Sequence, residues 1–169
     1  IGYEFFFNYG INGYKEIKKI CPNIFLDLKL HDIPNTVQKG IKAIGNLKPL
    51  ITTIHISGGN EMMKASKIIN KKTKVVGVSI LTSLNSKQAK MYYNDNKIES
   101  IVKKIVKQAQ KSGLDGVVCS PKEIKLVRRI VNKNFIIITP GIRINKLNTK
   151  KDDQKRVLSP KEAVQLGAD

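Results

Sequence analysis

Five short β-branched runs, at residues 24–30, 50–56, 74–81, 116–119 and 135–139, alternate with longer segments of helical period at 36–47, 60–70, 98–111 and 121–131. That alternation constrains the fold more than any other feature. Strand, helix, strand in repetition means parallel strands in one sheet, joined by right-handed crossovers. The strand runs are almost continuously apolar, so the sheet they form is covered on both faces. In the helical segments Val37, Ile41 and Ile44 make one apolar stripe, and Ile98, Ile101, Val102, Ile105 and Ala109 make another. Ser120 before Pro121 reads as a helix N-cap followed by a first-turn proline, and Ser159 before Pro160 repeats it with Glu162 at the third helical position. Asp95 or Asn96 is placed to cap the helix that starts near Lys97.

Periodicity alone allows two architectures, a doubly wound open sheet and a (β/α)8 barrel. No G-x-G-x-x-G or G-x-x-x-x-G-K-[ST] phosphate loop follows any of the runs, which disfavours the doubly wound sheet. Polar groups gather instead at the carboxyl ends of several runs: Asp27, Lys29 and Asp32, then His55 and Ser57, Thr82 and Ser83, Ser120, and Arg143. A site assembled from many strand ends is barrel behaviour. The 169 residues fit one domain, residues 1–169. Ile1 and Gly2 read as the tail of a strand, and Gly167 to Asp169 as a helix stop followed by the approach to another strand. The expectation is therefore an incomplete barrel, truncated at both termini.

The chemistry concentrates at residues 24–37. Asp27, Lys29 and Asp32 form a D-x-K-x-x-D array closing an apolar run. Strand side chains alternate faces, so Asp27 and Lys29 share one face, roughly 7 Å apart along the backbone. Asp32 falls where the strand gives way to a loop. Two carboxylates bracketing an ammonium are either a structural ion pair or a working site, and their place at a strand's carboxyl tip favours the second. A lysine held between carboxylates keeps its ammonium form and offers both a positive charge and a proton. The bland readings are kept for the neighbours. His55 is expected to be a hydrogen-bonded structural histidine, His31 a packing residue near the barrel mouth, Ser57-Gly58-Gly59 a tight turn, and Asp115 a turn residue. No metal site is expected, because the carboxylates lie beside a lysine and no histidine cluster is present.

Charge is the unusual bulk property, with 31 Lys plus Arg against 13 Asp plus Glu and a formal net charge of +18. Only four of the basic residues are Arg, they are dispersed at helix-surface spacing, and aromatics are 6% of the chain. Stacking platforms interleaved with a basic patch are missing, so no nucleic-acid partner is expected. The positive field can still gather a small anionic substrate. Cys21 and Cys119 show no paired spacing and read as free thiols. No run approaches the roughly 18 apolar residues of a membrane span, no signal peptide is visible, and the default setting is cytoplasmic.

Beyond these readings the chain resembles bacterial orotidine 5′-phosphate decarboxylases along its whole length. The resemblance rests on F-L-D-L-K-x-H-D-I-P-N-T at Phe25 to Thr36, then on His55-Ile56-Ser57-Gly58-Gly59 and Leu81-Thr82-Ser83. Gly113-Leu114-Asp115-Gly116-Val117-Val118-Cys119-Ser120 and Thr139-Pro140-Gly141-Ile142-Arg143 continue it in the same order. The D-x-K-x-x-D array alone is shared with related sugar-phosphate decarboxylases and aldolases; the I-P-N-T, L-T-S and P-G-I-R blocks are more specific.

The resemblance implies a (β/α)8 barrel, of which the five strands are about the third to the seventh, that converts orotidine 5′-phosphate to UMP without metal or organic cofactor. It implies that Lys29 donates the proton to C6 of the pyrimidine and that Asp27 sits beside the substrate carboxylate. Asp32 would serve the neighbouring subunit's charge network in a homodimer with shared sites. Thr36 would lie in the substrate-binding stretch, Thr82 near the pyrimidine, and Arg143 and Gln154 in the loop that grips the phosphate. The family's further Asp and Lys belong before Ile1 and its Gly-Arg pair after Asp169, so the 169 residues alone are expected to be inactive. Two alternatives stand beside this expectation: a magnesium-dependent sugar-phosphate decarboxylase or aldolase, and a basic nucleic-acid-binding module without enzymatic activity.

Overall fold

The computed structural model describes residues 1–68, 72–144 and 158–169. Its strands are β1 (Phe25–Leu30), β2 (Ile51–His55), β3 (Lys74–Val78), β4 (Gly116–Val118) and β5 (Ile136–Ile138). The helices are α1 (Tyr3–Ile20), α2 (Pro34–Leu47), α3 (Gly59–Ile68), α4 (Ser86–Tyr93), α5 (Ile98–Lys111), α6 (Ile124–Arg128) and α7 (Pro160–Leu166). All four strand pairings are parallel, and the spatial order β1-β2-β3-β4-β5 is the chain order. A doubly wound sheet reverses direction at a switch point. This one never reverses, which is the arc of a barrel.

Strand-like pairing continues past both edges of the arc. The Ile1 amino group donates to the Phe25 carbonyl at 2.8 Å, and Asp27 N–H donates to the Ile1 carbonyl at 2.8 Å. At the other edge Asp169 N–H donates to the Ile137 carbonyl at 2.9 Å. Residues at both ends of the chain thus hydrogen-bond to the edge strands of the sheet. Beneath that edge Arg128 donates to the carbonyls of Phe135 and Gly167 and pairs with the Asp169 carboxylate, which also accepts Ile137 N–H.

The apolar stripes behave as their period requires. Val37, Ile41 and Ile44 of α2 are buried, as are Ile101, Val102, Val106 and Ala109 of α5. All of these but Ile44 join Ile54, Val75, Val117 and Ile137 from four of the strands, with Met62, Met63 and Ile124 filling between. A smaller cluster of Tyr14, Ile24, Leu26 and Ile44 holds α1 against the start of the sheet. The helix is broken at Gly10, whose φ of 56° only glycine adopts without cost.

Three expectations about local structure change. Segments α1 and α4 lie outside the expected helices; α1 is interrupted at Gly10, and α4 is set by a capping box in which Asn85 and Gln88 exchange hydrogen bonds. The segment at 121–131 is a 3-10 turn at Pro121–Glu123 leading into a short α6. Lys97 is the N-cap residue before α5, and Asp95 accepts its N–H at 2.8 Å rather than capping the helix itself. The Ser159 cap forms as expected, with Glu162 Oε2 accepting Ser159 N–H at 2.8 Å. Among the described residues no helix is long and apolar enough to cross a membrane.

Candidate active site

The expected pair is made. Lys29 Nζ donates to Asp27 Oδ2 at 2.6 Å, with the two side chains 29% and 30% exposed, so the ion pair is sheltered yet reachable. The backbone brings it about in a way that simple alternation does not describe. Leu26 pairs with Thr52 and Leu30 with Ile54, so Asp27, Leu28 and Lys29 stand opposite Thr53 alone. This is a bulge, and bulges re-aim side chains beside functional sites. Lys29 sits at φ 43°, in the left-handed region. A non-glycine residue held there costs on the order of 1–3 kcal/mol and persists only where its surroundings dictate it. The bulge turns the ammonium back onto Asp27 instead of leaving it a full strand repeat away.

Thr53 occupies the position facing the bulge, and it is fully buried. Its hydroxyl accepts Lys29 N–H at 2.8 Å and donates to Asp27 Oδ1 at 2.8 Å. Each Asp27 oxygen therefore has a partner, one the Lys29 ammonium and the other the Thr53 hydroxyl. The Lys29 ammonium also lies 5.7 Å from the centre of the Tyr3 ring, over its negative face. Neither Thr53 nor Tyr3 is among the residues expected from sequence. For Thr53 a signal existed: it lies two residues before His55 in a buried strand, on the same face.

His55 and His31 border the pair. Their ring centres are 5.2 Å apart, and His31 Nε2 lies 3.5 Å from Ser57 Oγ. His31 is exposed rather than packed, because it follows β1 at the open end of the sheet. Burial lowers the His55 pKa, the neighbouring His31 and Lys29 charges push it the same way, and Asp27 opposes them. The Ser57-Gly58-Gly59 turn is tight as expected, with Gly59 at φ 86°. Asp115 is more than a turn residue: its carboxylate takes Lys67 Nζ and accepts Val75 N–H at 2.7 Å, clamping α3 to the amino end of β3. Burial pushes the Cys119 thiol up, out of reach of nucleophilic chemistry at neutral pH, and Cys21 is exposed.

The remaining expected residues occupy the same end of the sheet without joining the pair directly. Asp32 is exposed in the loop after β1, and its Oδ1 accepts Ile33 N–H at 2.7 Å. Thr36 is exposed in the first turn of α2, and Thr82 is half-buried in the turn beyond β3. Among the described residues no hydrogen bond links Asp32, Thr36 or Thr82 to Asp27 or Lys29. Arg143 is exposed beyond β5, its N–H donating to the Leu158 carbonyl at 3.0 Å. Gln154 lies outside the described residues. A hollow lined by Asn96, Lys97, Ser100, Lys103, Lys104 and Lys107 lies around the start of α5, includes none of Asp27, Lys29 or Thr53, and is a solvated lysine face.

Comparison with known proteins agrees with this geometry. Residues 1–169 match the family described as orotidine 5′-phosphate decarboxylase / HUMPS. The orotidine 5′-phosphate decarboxylase of Wolbachia pipientis subsp. Culex pipiens is 46% identical over 171 residues, covering 100% of this chain and 74% of the relative. That of Carboxydothermus hydrogenoformans is 38% identical over 177 residues, covering 100% of this chain and 73% of the relative. The crystal structure of orotidine 5′-phosphate decarboxylase from Lactobacillus acidophilus superposes with a TM-score of 0.81 at 34% identity, over 99% of this chain and 73% of that one. With the whole chain matched, the strand order of a barrel arc, and an aspartate and lysine paired where its first strand ends, the chain belongs to the orotidine 5′-phosphate decarboxylase / HUMPS family.

Proposed function

We propose that this chain supplies the reacting pair for the decarboxylation of orotidine 5′-phosphate to UMP, with no metal or organic cofactor. The observation that carries the reading is the Asp27/Lys29 ion pair, 2.6 Å apart and held at a strand end by a bulge. Loss of CO2 from C6 of a pyrimidine leaves an electron pair on a vinyl carbon with no carbonyl placed to delocalise it. A preorganised ammonium answers both needs, stabilising that charge and then delivering a proton to C6. In this reading Lys29 is the donor and Asp27 fixes the ammonium while lying beside the departing carboxylate. Thr36 and Thr82 line the substrate, and Arg143 grips phosphate with its planar fork, Gln154 beside it. Binding energy from a phosphate remote from the reacting carbon is then available to close the loop that follows β5.

Asp32 is exposed in the loop after β1, its Oδ1 holding Ile33 N–H rather than its own chain's pair, and this reading has it complete the partner's site in a homodimer. Exposed Ile33, Leu81, Met91 and Tyr92 come after β1 and β3 in the chain and would supply apolar surface for that contact. Two free thiols suit a reducing, cytoplasmic setting.

The test is to incubate the full-length protein with orotidine 5′-phosphate in excess chelator and follow UMP and CO2. Sustained turnover is expected. No turnover of orotidine 5′-phosphate, with turnover of a sugar phosphate that stops in chelator and returns with magnesium, would support a metal-dependent sugar-phosphate decarboxylase or aldolase instead, and no turnover with tight, salt-sensitive nucleic-acid binding would support a basic binding module.

A further inference from the structure

We propose that Thr53 is a positioning residue for the reaction, its hydroxyl setting where the Asp27/Lys29 pair stands; the inference rests on the roles given to that pair above. Three residues of β1 face this one residue of β2, so the backbone ladder cannot serve them all. The Thr53 hydroxyl takes the place of the missing rung. It accepts Lys29 N–H at 2.8 Å, which fixes the backbone of a residue held at φ 43°. A hydroxyl has one proton, and with Lys29 N–H on a lone pair that proton is left for Asp27 Oδ1, 2.8 Å away. One side chain thus grips the lysine by its backbone and the aspartate by its carboxylate, and Lys29 Nζ closes the ring on Asp27 Oδ2 at 2.6 Å.

The neighbouring threonine shows what an ordinary buried hydroxyl does here. Thr52 is equally buried, and its Oγ1 donates to the Leu26 carbonyl at 2.9 Å, within regular pairing. Thr52 satisfies a polar atom and touches neither Asp27 nor Lys29. Replacing Thr53 by valine keeps the shape and removes only the hydroxyl. Lys29 N–H is then left without its partner, and Asp27 is free to turn. A misplacement of about 1 Å in a reacting group is enough to lower turnover by about 100-fold.

The experiment compares Thr53→Val, Thr53→Ser and Thr52→Val in the full-length protein. Thr53→Val is expected to lower kcat about 100-fold while KM changes less than about 3-fold, since the positioned groups act on the reacting carbon rather than on phosphate binding. Thr53→Ser, which restores the hydroxyl, is expected to recover kcat to within about 5-fold, and Thr52→Val to keep wild-type kcat even where its Tm falls. A second readout is the Lys29 amide in a 1H–15N spectrum: its proton should move upfield and exchange faster in Thr53→Val only. Wild-type kcat in Thr53→Val, or equal losses in Thr53→Val and Thr52→Val, overturns the assignment. Should Thr53→Val not fold, Thr53→Ser against Thr53→Ala decides it on the same readouts. Should the wild-type protein fail to decarboxylate orotidine 5′-phosphate, the functional reading falls, and the Lys29 amide still decides whether Thr53 holds the pair.

Discussion

At the scale of single residues, the site is a small charge cluster whose members constrain one another. Lys29 carries a backbone conformation that lysine does not choose by itself, and Thr53, Asp27 and the Tyr3 ring surround it. His55 lies at the edge of the same cluster, held below the usual imidazole pKa of 6.5 by burial first and by His31 and Lys29 next, against the opposing pull of Asp27. Its neutral form is therefore the folded form. As pH falls through 6.5, the unfolded chain takes up the proton before the folded one, so stability present above that value is lost below it. We expect Tm to decline between about pH 7 and pH 5, and His55→Gln to make that decline shallower. Thermal melts of both proteins across this range check it; parallel curves would show that His55 does not contribute.

At the scale of elements, most of the strands and helices were legible from period and caps, and the parts that were not have specific causes. The five runs became the five strands because each is apolar enough to be covered on both faces. Asp27 and Lys29 were legible as a pair, but alternation places them a strand repeat apart. Their 2.6 Å contact comes from a bulge whose cause, the Thr53 hydroxyl, sits 24 positions beyond Lys29 in the chain. No local pattern carries such a contact. The same holds for Asp115, whose partners Lys67 and Val75 come from other elements. Helix α4 was missed because a capping box, not an apolar stripe, defines it. Close packing between strands makes an element-level prediction. A Cβ on Gly116 would lie 2.4 Å from the Ile136 carbonyl oxygen, a backbone atom that cannot swing aside. Gly116→Ala should therefore destabilise the protein by about 1–3 kcal/mol, read as a lower Tm or urea midpoint. An unchanged midpoint would mean that β4 and β5 sit farther apart than described.

At the scale of the whole molecule, parallel strands in chain order deliver Asp27, Thr82 and Arg143 to one end of the sheet from three different strands. Barrels build sites in this way, and it separates the stabilising clamps at Arg128 and Asp115 from the chemistry at the opposite ends of the strands. The proposed homodimer would extend the same logic across two chains. If Asp32 completes the partner's site, a full-length Asp32→Ala protein and a full-length Lys29→Ala protein are each inactive, yet a heterodimer of the two has one intact site. Mixing them under subunit exchange should restore activity toward half that of the wild type per heterodimer. Heterodimers that form and remain inactive would remove Asp32 from the shared site.

In the proposed reaction the Lys29 ammonium, fixed by Asp27, supplies charge and proton to C6. The most direct measurement is single-turnover decarboxylation by Lys29→Ala in the full-length protein, alongside its affinity for UMP. The rate should fall by at least about 100–10,000-fold with UMP binding still measurable. A Lys29→Ala protein that turns over at near the wild-type rate would contradict that role.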